Sequence, residues 1–187
     1  MEWQRFFAGL IDAAIVLGWA GTLGVGFYLA GWLDNGGGLT VFQVHLILAG
    51  ATAFPVLIAF AILESGSKQG TVGKRIFKLR VHGTEGISAV SFPRAIVRNL
   101  LKLAVPFFIL HMAIVAGITG GLSLISGIAI SIPLILVLSY VVSIFVGQKR
   151  TLYDFAVATT VTDRAYRAFT ADDLSDIIES VPRRAMN

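Results

Sequence analysis

Two ionisable residues, Asp12 and His111, lie within long apolar stretches of the sequence, where they could do chemistry. Asp12 follows Arg5 by seven residues, so on a helix both side chains share one face, about 10 Å apart along the axis. Because that separation is too long for direct contact, Asp12 needs another partner, which could be Arg98, Lys102 or a hydroxyl group. Asp12 is predicted either to form a structural ion pair that orders a helix bundle or to be a functional proton or cation site.

His111 lies near the middle of the third predicted span and also has two interpretations. Hydrogen-bonded to a hydroxyl on a neighbouring helix, a neutral His111 would join two helices; close to Asp12, it would be an intramembrane group that relays protons. The three histidines lack the helical spacing of metal ligands, and the sequence has no cysteine. We therefore predict no metal and no cofactor. The sequence also shows no nucleophile paired with a base, so an enzyme is not predicted.

The composition and the positions of the charges predict the helices that carry these residues. The chain has 187 residues, of which 56% are hydrophobic and 14% charged, and its mean hydropathy is +0.80; soluble domains have roughly 25% charged residues. Uncharged stretches long enough to span a membrane run over 13–33, 35–63 and 103–148, and the third is long enough for two helices. We predict an all-α membrane protein with four transmembrane helices, near 5–33, 40–63, 96–117 and 122–146.

The basic residues predict the orientation of these helices. All 15 Lys and Arg residues lie before the first uncharged stretch, between the second and the third, or after the third. Since positively charged residues are retained on the cytoplasmic side, both termini are predicted to be cytoplasmic. The expected location is a bacterial inner membrane. The first helix is expected to be retained, because it lacks the features of a cleaved signal peptide.

Two polar regions are predicted to lie in the cytoplasm. In the loop 64–95, apolar and basic residues alternate from Phe77 to His82, which predicts a strand that turns at 83–86 into a β-hairpin-like loop. In the tail 164–187, a capping box precedes a short amphipathic helix at 170–181 with an acidic face. This helix is expected to dock on the basic loop or on a partner protein, since an anionic lipid leaflet repels it.

Several basic residues near the predicted membrane surface are expected to bind anionic lipid headgroups. These residues are Lys74, Arg75, Arg94 and Lys102. Arg98 lies on the same predicted helix face as Arg94 and Lys102, and either joins them or turns inward to a carboxylate. Asp154 either forms a capping box with Thr151 at the start of a helix or belongs to a buried charge cluster.

An arginine before the first span, an aspartate two turns into it and an aspartate after the last span resemble the three residues for which the RDD family of small membrane proteins is named. Here they are Arg5, Asp12 and Asp154. The similarity extends over nearly residues 3–163. Further matches are the segments 70–75, 79–81 and 150–159, together with Arg98.

The sequence departs from the family pattern at Tyr153, where the family often has histidine, and at Ala158, where it often has glycine. The resemblance implies a multi-pass membrane domain over residues 1–163 and suggests cation or proton transport as a role. It also draws attention to one set of charged residues as a candidate cluster. The members of this set are Arg5, Asp12, Arg98 and Asp154.

Two functions follow from these features. The first is a structural or accessory membrane component that binds partners on the cytoplasmic side. The alternative is transport of a small cation or of protons through Asp12; because four helices enclose little space, transport would require a homo-oligomer. The expected partners are a bilayer with anionic headgroups and either a second copy of the chain or another membrane protein. No nucleic-acid partner is predicted.

Overall fold

The computed structural model of the protein describes residues 2–32, 38–86, 88–120, 124–146 and 150–163. Its elements in chain order are α1 (Glu2–Leu29), α2 (Val41–Ser65), α3 (Val72–Ile76), β1 (Leu79–Gly83), α4 (Phe92–Asn99), α5 (Val105–Gly120), α6 (Leu124–Phe145), α7 (Leu152–Ala156) and β2 (Thr159–Asp163). A π-helical turn, Leu100–Ala104, joins α4 to α5. The predicted helix at 170–181 lies outside the described residues.

Among the described residues, four helical segments are long and apolar enough to cross a membrane, which confirms the prediction of four such helices. They are α1, α2, the continuous segment Phe92–Gly120, and α6 over Gly127–Phe145. A capping box fixes the start of α2: the Thr40 hydroxyl accepts from the Gln43 amide, and the Gln43 side chain accepts from the Thr40 amide. Within the bundle, α5 packs against both α2 and α6, and α1 packs against α2 and α6.

The two strands lie far apart in sequence. β1 pairs antiparallel with β2, so that Leu79 faces Asp163 and Gly83 faces Thr159. The predicted strand is confirmed, and after the predicted turn one isolated antiparallel bridge joins His82 to Ala89. The sequence did not indicate that the main partner of β1 is the segment after the fourth span. The alternation in β1 specifies a buried face without specifying which strand lies beside it.

The small sheet packs on the ends of the first two spans. Val81 of β1 and Val161 of β2 are buried in one apolar cluster with Ala8 of α1 and Ala61 of α2. The two segments that contain α3, β1, α7 and β2 therefore form one layer across one end of the bundle, which we call the cap.

The cap touches α1 most closely at Gly73, in the short helix α3. The Gly73 amide donates to Asp12 Oδ1 at 2.9 Å. A Cβ atom at this position would overlap the carbonyl oxygen of Ala8 and lie 3.0 Å from Asp12 Oδ1. Because the Ala8 carbonyl belongs to a helix backbone and cannot move aside, only glycine allows this contact.

Replacing Gly73 with alanine should therefore separate α3 from α1. We expect Gly73→Ala to lower the free energy of unfolding by about 1–3 kcal/mol, the usual range for overpacking. Thermal unfolding of the purified protein in detergent measures the change. Gly18→Ala is the matched control, because nothing lies within 4 Å of a Cβ added there. Equal melting temperatures for both variants would contradict the close contact.

Candidate functional site

Arg98 lies at the centre of a buried group of charges where the cap meets the bundle. Its side chain is only 1% exposed. Arg98 Nε donates to Asp154 Oδ1 at 2.8 Å, and Nη1 donates to Glu64 Oε1 at 2.6 Å. Nη2 also lies 2.8 Å from Asp154 Oδ1. One guanidinium group therefore connects α2, α4 and α7, using the planar set of donors that lysine lacks.

Glu64 is the second member of this group and lies at the end of α2, fully buried. Its Oε1 atom accepts hydrogen bonds from both Arg98 and Lys74, and its Oε2 atom accepts from Asn99 Nδ2 at 2.9 Å. Both carboxylate oxygens are thus bonded to protein donors. Lys74 brings α3 into the same group.

Asp154 lies in the first turn of α7 and completes the group from the cap side. The Thr151 hydroxyl and amide both donate to Asp154 Oδ2, at 2.7 and 3.3 Å, in a capping box. Thr159 donates to Oδ1 at 3.0 Å, and Arg5 Nη2 lies 3.9 Å from Oδ2. Both sequence interpretations of Asp154 therefore describe its contacts, since it caps a helix and also pairs with buried cations.

Asp12 has partners in the cap as well. Its Oδ2 atom accepts from the Thr71 hydroxyl at 2.5 Å, and its Oδ1 atom accepts from the Gly73 amide. Of the partners considered from the sequence, the structure provides a hydroxyl. Asp12 thus supplies acceptors for the first turn of α3, where helical amides have no acceptor of their own.

The structure brings three of the four predicted cluster residues into direct ion pairs: Arg5, Arg98 and Asp154. Asp12 contacts the neighbouring α3 instead. We call Arg5, Glu64, Lys74, Arg98, Asn99 and Asp154 the ion cluster.

Two of the residues predicted at lipid headgroups have other neighbours. Lys74 is only 6% exposed, and its ammonium group pairs with Glu64 inside the ion cluster. This placement corrects the headgroup prediction for Lys74, because a buried ammonium group bonded to a carboxylate is not available to lipid. Lys102 is half-buried and lines a cavity.

Arg75 and Arg94 lie outside the ion cluster. Arg94 is exposed and lies 3.9 Å from Glu85, and Arg75 donates to the Leu63 carbonyl at 3.2 Å. Their predicted contact with headgroups stays a prediction.

Sequence reasoning missed Glu64 and Asn99. One signal was present, since Glu64 is the carboxylate that ends the second uncharged stretch. Its partner Arg98 is 34 residues further along the chain, and Arg98 and Asp154 are 56 residues apart. No local pattern links residues at such separations.

His111 lies beside His45, with ring centroids 5.4 Å apart, and beside Phe107, at 5.9 Å. The contact between the two histidine rings, which are tilted by 49° to each other, connects α2 and α5. Over the described ranges, no three His, Asp or Glu side chains are placed to hold a metal ion.

Burial changes the titration of the cap residues. Burial, with the positive charge of Arg98 adding to it, lowers the pKa of Lys74 from 10.5 to about 7, although Glu64 opposes the change. Burial alone would raise the pKa of Asp154, but Arg98 and the hydrogen bond from Thr151 hold that pKa below its ordinary value. Burial also raises the pKa of Tyr153 well above 10.0, so its hydroxyl remains protonated.

A family model described as the RDD family matches residues 2–158 of the chain, which include the ion cluster, Asp12 and the start of the cap's second segment. No curated protein and no solved structure matches the chain.

The pH dependence of stability tests the environment of Lys74. Between about pH 7 and 10 the unfolded chain keeps this lysine protonated while the folded protein releases the proton, so the free energy of unfolding should rise with pH. Lys74→Met cannot titrate and should reduce this rise, whereas Lys78→Met, which changes an exposed lysine, should retain it. Thermal unfolding at a series of pH values measures both. Parallel profiles for the wild type and Lys74→Met would contradict the burial of this ammonium group.

Proposed function

The chain belongs to the RDD family of small membrane proteins, and on that premise we propose that it is a non-enzymatic accessory component of the membrane. In this role the bundle lies in a bacterial inner membrane with both termini in the cytoplasm. The cap then lies on the cytoplasmic side, where it presents a fixed surface to a partner protein and to anionic headgroups.

The bonding of the three buried carboxylates carries this proposal. Each oxygen atom of Asp12, Glu64 and Asp154 accepts at least one hydrogen bond from a protein group. A carboxylate that carries a cation through a membrane has to exchange its ligands as the ion enters and leaves. Carboxylates whose oxygens are occupied by a backbone amide, hydroxyls and a guanidinium group are suited to holding elements in place.

Exposed side chains of the cap supply what a partner would contact. Lys68 and Lys78 are exposed, as are the apolar side chains of Ile76 and Phe155. These exposed lysines fit an acidic surface on a partner protein. The acidic tail helix predicted from the sequence would compete for the same lysines.

A photoreactive residue in place of Lys78 tests the proposal in native membranes. We expect discrete protein adducts from this position, and we expect the same adducts to be lost when Lys68→Glu is added, because the charge of the surface is reversed. The control position is Ile118, which is 80% exposed at the opposite end of the α5 helix. The proposal is contradicted if Ile118 gives the same adducts, or if only lipid adducts form at Lys78.

Transport is the second candidate, and one observation favours it: Asp12 lines a cavity of about 410 Å³ together with Lys102 and Tyr140. Proton and cation flux in proteoliposomes separates the two candidates. Asp12→Asn is the informative variant, since an amide oxygen can still accept from the Gly73 amide. Flux in the wild type that this variant abolishes without unfolding would replace the accessory role with transport; flux equal to that of protein-free vesicles agrees with the accessory role.

A further inference from the structure

The cavity beside the ion cluster has the size and lining of a ligand site. Its volume of about 410 Å³ falls within the usual range for small-molecule pockets. The walls come from α1, α6, the π-helical turn and the start of α7, and most of the lining side chains are apolar, such as Val16, Leu103 and Val137. An apolar space between membrane-spanning helices fits a hydrocarbon chain better than a water-soluble ligand.

One side of this cavity is polar. Lys102, Tyr140 and Tyr153 line it, and the same three residues also line a gap of about 10 Å³, which is room for about one water molecule. Other basic residues around this gap are Arg5, Lys74 and Arg98. Asp154 also lines this gap, so the polar side of the apolar cavity adjoins three basic residues and one carboxylate of the ion cluster.

Lys102 differs from the basic residues beside it. Arg5, Lys74 and Arg98 each pair with a carboxylate of the ion cluster. For Lys102, no carboxylate lies within ion-pair distance among the residues placed by the structure. A half-buried ammonium group next to an apolar cavity is costly unless an anion lies beside it.

The backbone directs Lys102 to the cavity. Leu101, Lys102 and Leu103 are consecutive, belong to the π-helical turn, and all line the space. π-helical turns are rare and occur frequently at functional sites. Asp12 also lines the cavity, but its two oxygens are bonded to Thr71 and Gly73, so the polar group of a ligand is directed to Lys102.

We propose that this cavity binds one anionic membrane lipid, with an acyl chain in the apolar space and the headgroup paired with Lys102. The headgroup gives Lys102 the anionic partner that Arg5, Lys74 and Arg98 already have in the ion cluster. The exposed cap residues proposed to contact a partner do not line this cavity.

Lipid retention by the full chain tests the proposal. The protein is reconstituted in nanodiscs with equal amounts of phosphatidylglycerol and phosphatidylcholine, extracted into mild detergent, and examined by native mass spectrometry. We expect the wild type to retain phosphatidylglycerol preferentially. Lys102→Gln should lower this preference roughly tenfold, since a hydrogen bond to a charged group is lost, and Lys102→Arg should keep it.

Two matched controls separate the site from general effects. Lys78→Gln removes one exposed lysine from the cap and should leave the preference unchanged. Ala13→Phe fills the cavity and should lower retention of both lipids, whereas Ala14→Phe changes a neighbour that does not line it. Equal preferences for Lys102→Gln and Lys78→Gln, or equal retention by Ala13→Phe and Ala14→Phe, would overturn the proposal.

A competition arm distinguishes a lipid from a soluble anion. A single-chain lysophosphatidylglycerol should displace the retained lipid, because it fills both the apolar and the polar parts of the cavity. Inorganic phosphate at the same concentration should not, because it has no apolar part. Displacement by phosphate alone would overturn the lipid assignment and indicate a soluble anion as the ligand.

Discussion

The arrangement of the cap depends on one shared guanidinium group. Arg98 is buried and bonded at once to Glu64 of α2 and to Asp154 of α7. When one partner of a buried ion pair is removed, the other charge stays buried without compensation. This lowers the stability of the fold by about 3–5 kcal/mol. The segment after the fourth span cannot leave the bundle without exposing such charges, so the ion cluster keeps it close to α2 and α4.

The first helix, α1, contacts the cap at two positions along its length. Arg5 and Asp12 share a helix face but do not need each other: Arg5 lies beside Asp154, and Asp12 accepts from α3. Because they are two helical turns apart, Arg5 reaches α7 of the cap while Asp12 reaches α3. The three residues that name the family therefore occupy two anchor points, with Gly73 allowing the backbones to approach at the second.

The sequence predicts the four spans well, because the gaps between charges directly reflect the thickness of a membrane. It also predicts the strand β1 and the capping box at Thr151 and Asp154, which depend on local patterns. It does not predict that β1 pairs with β2, or that Glu64 and Lys74 enter the ion cluster, because those contacts join residues far apart in sequence. A buried lysine looks the same as a headgroup-binding lysine until its carboxylate partner is known.

Amide hydrogen exchange tests most directly whether the ion cluster holds the cap to the bundle. Glu64→Gln keeps the shape of the side chain but leaves Arg98 and Lys74 with one carboxylate fewer; Glu85→Gln is the exposed control. We expect faster exchange in α3, β1 and β2 of Glu64→Gln, whereas the half of α2 farthest from the cap should exchange at an unchanged rate. Unchanged exchange in the cap, or an equal increase throughout the bundle, would contradict it.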